Sequence, residues 1–575
     1  MADFDLILRG GTVHDGLGHP ARVADVAVKD GLIAAIGTVA GSATEEIDAS
    51  GLLVTPGFVD VHTHYDGQAT WSQRLQPSSG HGVTSVVMGN CGVGFAPCRP
   101  AERGLLVQVM EGVEDVPEVV MAEGLPWNWE TFPEYLDALA ARQFDVDVAA
   151  QLPHSALRVY VMGERAASHE PPTAADLAEM RRLTAQAVAA GALGVTTSRN
   201  MMHRTKAGAL APSLFSDEDE LGALADGLRD AGRGVFQIIP APMGDALEEF
   251  GLMRRLAERS GRPLSYTLIQ MPTGDRDAWR QSLAELTLAA ADGLAMRAQV
   301  APRPVGMFYG LDLSYHPFAY HPGYKAIAQL PLAERVVRLR DPALRARLLA
   351  EQAEDSNPVN LKTVKSFQYA YAWGSEAEYE PALADRIDHR ARAAGQSVEA
   401  FVYDLLLADD GHALFYQPGA NYRDGNLNAV REMLGHPQAV VGLADGGAHY
   451  GMICDGSFPT SFLARWARDA AEADRIPLPQ AVAALTSVPA ALAGLADRGR
   501  LVVGAKADIN LIDLARLRVH VPTVVHDLPA GGRRMHQRAD GYVATIVSGA
   551  VTYRDGEATG ALPGRLVRGG VAVAA

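Results

Sequence analysis

Between residues 56 and 498, short apolar strand-like runs alternate with segments of helical period. This alternation constrains the fold more than any other feature, because it is the pattern of βαβ units around a parallel sheet. Eight runs qualify as strands: 57–62, 83–88, 146–152, 193–197, 235–239, 264–269, 294–300 and 439–443. Eight such units predict an α/β chain closed as a (β/α)8 TIM-like barrel. One intervening helix is well marked: Thr173 is placed to cap it, Leu177, Met180, Leu183, Ala187 and Val188 share a face, and Gly191 ends it. Residues from about 310 to 435 are too many for one βα loop and carry their own helical patterns, at 341–352 and 398–407, so they are expected to cap the barrel mouth.

The two ends of the chain read differently. Residues 1–55 hold short β-branched runs broken by turns, with Lys29-Asp30-Gly31 as a tight hairpin, and residues 499–575 repeat the habit. Neither set can bury a core alone, so the expectation is a small β-sandwich built from 1–55 and 499–575 around a barrel of 56–498.

Composition removes several function classes. A formal net charge of -17 disfavours nucleic acid and anionic membrane as partners, since both demand a basic surface. Three cysteines, Cys91, Cys98 and Cys454, are too few for a disulfide framework and suit a reducing compartment. The first residues lack the basic and apolar pattern of a signal peptide, and no apolar run reaches about 20 residues, so a cytoplasmic protein is expected. A homo-oligomer is left open.

Four residues concentrate the chemistry. The run 55–64 is an apolar strand ending in His62 and His64, and residues two apart on a strand point to the same side. Both imidazoles can then face the barrel axis at the C-terminal rim, where barrel enzymes place their catalytic groups. The next strand runs into Gly89-Asn90-Cys91-Gly92, setting a thiol just beyond that rim, and the last ends in Asp445-Gly446-Gly447. Taken singly, each has an ordinary reading: polar rim histidines, a small buried cysteine, an aspartate that forms a turn. In a closed barrel the first and last strands are neighbours, so His62, His64, Cys91 and Asp445 are expected to converge. Imidazole, thiolate and carboxylate together suit a divalent cation, with zinc favoured. Such a cation acidifies water and polarises a carbonyl. Asp445 is placed to take the proton and return it to a leaving nitrogen.

These residues resemble the amidohydrolase superfamily and, within it, the D-aminoacylase branch, which deacylates N-acyl-D-amino acids. The likeness runs from Leu8-Arg9-Gly10-Gly11-Thr12-Val13 through 56–64, 89–92, 154–163, His436-Pro437 and Asp445-Gly446 to 483–499 and 504–508. It implies a metal-bearing barrel with a terminal β-sandwich and hydrolysis of a small-molecule amide at a non-peptide C–N bond. It also implies a histidine after the fifth strand and another after the sixth. Here those stretches read 235–240 and 265–270, with Gln237 and Gln270 and no histidine. One cation per chain on the surviving ligands is favoured over two. Recruitment of His154 or His203 as a substitute ligand, and a metal-free barrel that only binds, remain as alternatives, as does hydrolysis of a cyclic amide or imide. For substrate binding the sequence offers His154, Gln237, Gln270, and Arg297 and Arg303 as a fork for a carboxylate. The cap residues Tyr315, His316, Phe318, Tyr320, His321 and Tyr324 either line an apolar pocket or simply pack.

Overall fold

A computed structural model describes residues 2–569. The barrel strands are β1 (Phe58–Asp60), β2 (Val83–Met88), β3 (Asp147–Ala150, prolonged by Leu152–Pro153), β4 (Gly194–Ser198), β5 (Val235–Ile239), β6 (Leu264–Thr267), β7 (Met296–Val300) and β8 (Ala439–Val441). Each falls within one residue of an expected run, though β1, β6, β7 and β8 are shorter than their apolar stretches. Every paired neighbour is parallel. The ring closes through a parallel bridge between Thr63 and Gly446. Around it the His64 amide donates to the Gly446 carbonyl at 2.8 Å and the Asp445 amide to the His62 carbonyl at 3.1 Å. The residues that close the barrel are thus the ones that carry the candidate chemistry.

Strands such as β2 are buried along their whole length, as expected for a parallel sheet covered on both faces. The helix Ala174–Ala190 begins at Thr173, whose side chain accepts from the Asp176 amide in a capping box, and it ends at Gly191 with φ 120°. Among the described residues no helix is long and apolar enough to cross a membrane.

Strands from both ends of the chain share one nine-stranded sheet, joined where Leu53–Pro56 pairs antiparallel with Ile509–Ile512. The Lys29–Leu32 pair closes the expected hairpin, with Asp30 and Gly31 both left-handed. Leu6, Leu8, Val26, Val28, Ile509, Leu511 and Ile546 form the core under this sheet. One feature departs from the expectation: the C-terminal segment leaves the sheet and runs back along the barrel, where Gly564 and Leu566 bridge to Phe144 and Val148 beside β3.

The insertion contains the expected helices, Pro342–Ala350 and Val398–Leu406, capped by Asp341 and Ser397. It also contains a three-stranded sheet, Val305–Tyr309, Tyr371–Ala372 and Phe415–Ala420, that periodicity did not reveal because two of its members are too short or too Gly- and Pro-rich to alternate. The cap aromatics pack among themselves: Phe318 lies 5.2 Å from Tyr403 and His316 lies 4.2 Å from Tyr324, ring centre to ring centre. Of the two readings for this cluster, packing is the one observed.

Candidate metal centre

The loops after β1, β2 and β8 bring the four expected residues together. His62 Nε2 lies 3.5 Å from Cys91 Sγ and 3.3 Å from Asp445 Oδ1. His64 Nε2 lies 3.5 Å from the same Asp445 oxygen. Ligand atoms of His62, His64 and Cys91 all fall within 4.8 Å of one another. Bonds of about 2.0–2.3 Å to a tetrahedral zinc place its ligand atoms roughly 3.3–3.8 Å apart, so these separations match the edges of such a site. Both His64 nitrogens and Asp445 Oδ1 are buried without a hydrogen-bond partner, which is costly unless a cation or proton sits among them.

The local backbone explains how the groups converge. Cys91 is left-handed at φ 55°, between Gly89 and Gly92, which are left-handed too. A Cβ on Gly89 would run into the Gln151 carbonyl, and one on Gly92 would come within 2.9 Å of Thr197 Cα, so both glycines let the cysteine loop lie against β3 and β4. After β8, Leu443, Asp445, Gly447 and His449 are all left-handed. Non-glycine residues held in that region concentrate at functional sites, where the surrounding structure fixes them.

Partners behind the ligands set their orientation. His62 Nδ1 lies 2.7 Å from Gln299 Oε1, and the Gln299 amide donates from Nε2 to Ser265 Oγ at 3.0 Å. With the amide oxygen towards the ring, Nδ1 is the donor to Gln299 and Nε2 faces Cys91 and Asp445, the orientation that a cation on Nε2 requires. His64 Nδ1 lies 3.4 Å from Glu114 Oε1, and Glu114 Oε2 lies 3.3 Å from His449 Nε2. Glu114 ends the helix Arg103–Glu114 and is buried, with neither carboxylate oxygen hydrogen-bonded. Burial pushes its carboxyl up to about 7, against the pull of His64. Burial would likewise raise Asp445, but the close approach of His64 and the charge of His62 hold it below the usual carboxylate range. Burial pushes the Cys91 thiol up to about 12, partly offset by His64.

Glu114, His449 and Gln299 are site residues that sequence reasoning missed. His449 had a usable signal, standing four residues past Asp445 in the same Gly-rich loop. Glu114 had only a carboxylate at the end of an apolar helix face.

A cavity of about 260 Å³ opens onto this cluster, lined by His62, Cys91, Glu114, His203, Asp445 and His449 on one side. The other expected residues lie elsewhere. His154 is buried with Nδ1 2.8 Å from Thr197 Oγ1 and Nε2 3.0 Å from Glu220 Oε1, so both its nitrogens serve the structure. Arg303 donates to Asp455 Oδ1 at 2.8 Å, the Cys454 carbonyl at 2.9 Å and Ser457 Oγ at 3.0 Å, and it lies 4.0 Å over the Tyr379 ring. Arg297 donates to the Pro437 carbonyl at 3.0 Å and to the Gln438 side chain. Gln270 donates to Asp424 Oδ2 at 3.2 Å and accepts from the Arg423 amide at 3.3 Å, pinning the β6 loop to the segment before β8. Gln237 is buried inside the barrel, with both amide atoms unpaired. None of these five lines the cavity, and the two arginines, expected as a carboxylate fork, instead anchor neighbouring segments: both terminal nitrogens of Arg303 are bonded within the protein, as is Nη1 of Arg297. His203, by contrast, does reach the cavity wall.

Known proteins carry the same architecture. A D-aminoacylase crystal structure superposes with a TM-score of 0.65 at 25% identity, covering 98% of this chain and all of the other. An N-acyl-D-glutamate deacylase of Alcaligenes xylosoxydans xylosoxydans is 31% identical over 88% of this chain and 87% of its own length. A D-aminoacylase of the same organism is 28% identical over 98% and 97%. The family model described as "Amidohydrolase family" matches residues 45–553. With a matching family model over most of its length and a histidine–cysteine–aspartate cluster at the barrel rim, the chain belongs to the amidohydrolase family.

Proposed function

We propose that this enzyme is a metal-dependent hydrolase that deacylates N-acyl-D-amino acids, with one zinc ion per chain held by His62, His64, Cys91 and Asp445. The reading rests on one observation: three loops bring His62 Nε2 within 3.5 Å of Cys91 Sγ and 3.3 Å of Asp445 Oδ1, and His64 Nε2 within 3.5 Å of the same oxygen, beside a cavity that His62, Cys91 and Asp445 line. The relatives named above act on N-acylated D-amino acids by their names, and a linear amide fits that company. When bound, the cation supplies Lewis acidity for the carbonyl and for water. The protein's own groups do the rest. Gln299 and Glu114 orient the two histidines, and Asp445, held in its ionised form, takes a proton from the attacking water and passes it to the departing nitrogen. Under this reading residues 56–498 form the catalytic barrel with 310–435 as its cap, and the three free cysteines suit the cytoplasm.

The test is hydrolysis of a panel of N-acyl-D-amino acids, their L-enantiomers and cyclic amides by zinc-loaded protein. D-selective hydrolysis of the linear compounds is expected. Preference for a cyclic amide, or full activity in His62→Ala, would overturn the reading.

A further inference from the structure

The cavity has a second wall that the chemistry above does not use. Beyond the ionisable cluster it runs between the loops that follow β5 and β6, where Ile239, Met253, Tyr266, Leu268, Met271 and Trp279 line it. Met253, Tyr266, Leu268 and Trp279 are nearly inaccessible to solvent, so a group entering here leaves water for an apolar surround. Charge points the same way. The lining includes four carboxylates, Glu114, Glu249, Asp275 and Asp445, and among the described residues no lysine or arginine. Glu249 is committed to Arg199, which donates to it at 2.9–3.1 Å from outside the cavity wall. The arm does keep two buried donors: Trp279 Nε1 and Thr267 Oγ1 have no hydrogen-bond partner.

We propose that this arm selects substrates carrying a bulky, uncharged, apolar group, and discriminates against those carrying a second carboxylate. A carboxylate in the arm would lose its hydration without gaining a cationic partner, since Arg199 is held by Glu249, and it would face Asp275 as a like charge. An aromatic or branched aliphatic group instead gains burial against Tyr266, Leu268 and Trp279. The α-carboxylate common to all N-acyl amino acids is not penalised in this way, because Asn200, His203 and His449 offer polar atoms on the opposite wall. The inference rests on the amide-hydrolase reading for the identity of the ligand, yet it makes its own claim about the arm. It is also independent of overall relatedness, since it sets this chain apart from the relative named as an N-acyl-D-glutamate deacylase, to which it is 31% identical.

The experiment is calorimetric binding to wild-type, full-length protein stripped of metal with a chelator, so that the outcome does not depend on turnover. Two ligand series are compared: N-acetyl-D-phenylalanine against N-acetyl-D-glutamate, and N-hexanoyl-D-alanine against N-succinyl-D-alanine. At least tenfold tighter binding of the apolar member in one or both series is expected, and the series that discriminates identifies which end of the substrate enters the arm. Met271→Glu, at the half-exposed rim, is expected to cut that preference at least fivefold with an unchanged melting temperature. The proposal is overturned if neither series discriminates, if no ligand binds, or if Met271→Glu leaves the preference intact. Failure of hydrolysis by the wild-type enzyme, with apolar preference in binding retained, would instead count against the catalytic reading alone.

Discussion

The two halves of the barrel rim have been put to opposite uses. On the side of β1, β2 and β8, strand ends and loops concentrate imidazole, thiol and carboxylate groups in left-handed, closely packed turns. On the side of β5 and β6 the strand ends are apolar or amide-bearing, and the loops beyond them form a greasy wall. The family likeness implies ligands on both sides, and the sequence already shows no histidine on the second. With no histidine there, the cavity beside the candidate metal cluster extends along this second side.

That contrast can be broken most severely at Asp445. Asp445→Asn is expected to lower kcat by about 10²–10⁴-fold, the usual worth of a positioned proton-transfer group. A loss below about tenfold would mean that the proton is handled elsewhere. Glu114→Gln sharpens the picture one layer back. It leaves shape intact but removes the charge that faces His64 Nδ1 and His449 Nε2, and a fall in zinc affinity of about 10–100-fold is expected from a chelator titration.

A control lies outside both halves. His81 is buried, with Nδ1 2.8 Å from Thr460 Oγ1 and Nε2 2.8 Å from the Gln537 carbonyl, and burial lowers its pKa to about 3. Burial lowers His316 in the cap to about 3 as well. The unfolded chain binds these protons near pH 6.5 and the folded chain does not. Stability is therefore full above pH 6.5 and falls as pH drops toward 3, by up to about 1.4 kcal/mol per pH unit for each group. Denaturant melts of His81→Gln should show a shallower acid loss than the wild type; an identical slope would remove His81 from the account.

The smallest effect is expected at Gln237, on the apolar half. Both its amide atoms are buried and unpaired, so Gln237→Leu removes a desolvated polar group and should raise stability by about 1 kcal/mol while leaving zinc content unchanged. Loss of zinc in that variant would place a ligand on the β5 side after all and erase the contrast between the halves.

Sequence alone made the barrel legible because parallel strands buried on both faces must be continuous apolar runs, and the eight runs were long enough to stand out. The four central site residues were legible for a related reason: strand period and barrel closure together dictate that 62, 64, 91 and 445 meet. What escaped was whatever depends on packing between distant segments. Glu114 reaches the site from the end of a helix, and nothing local distinguishes it from a solvent-facing glutamate. Arg303 near the seventh strand end looked available, but Asp455 and Tyr379, both far along the chain, claim its guanidinium. The small cap sheet was hidden because its outer strands pair with a central one over separations from 43 to 115 residues and the strands carry Gly306, Pro418 and Gly419 within them.

The central claim is that His62, His64, Cys91 and Asp445 jointly hold a divalent cation. Elemental analysis of protein purified without added metal, and again after zinc loading and desalting, tests it most directly when wild type is compared with His64→Ala and Cys91→Ala. About one zinc per wild-type chain, falling below about a tenth in either variant with unchanged circular dichroism, is the expected result. Wild-type protein that retains no zinc after loading, or variants that retain it in full, would contradict the claim.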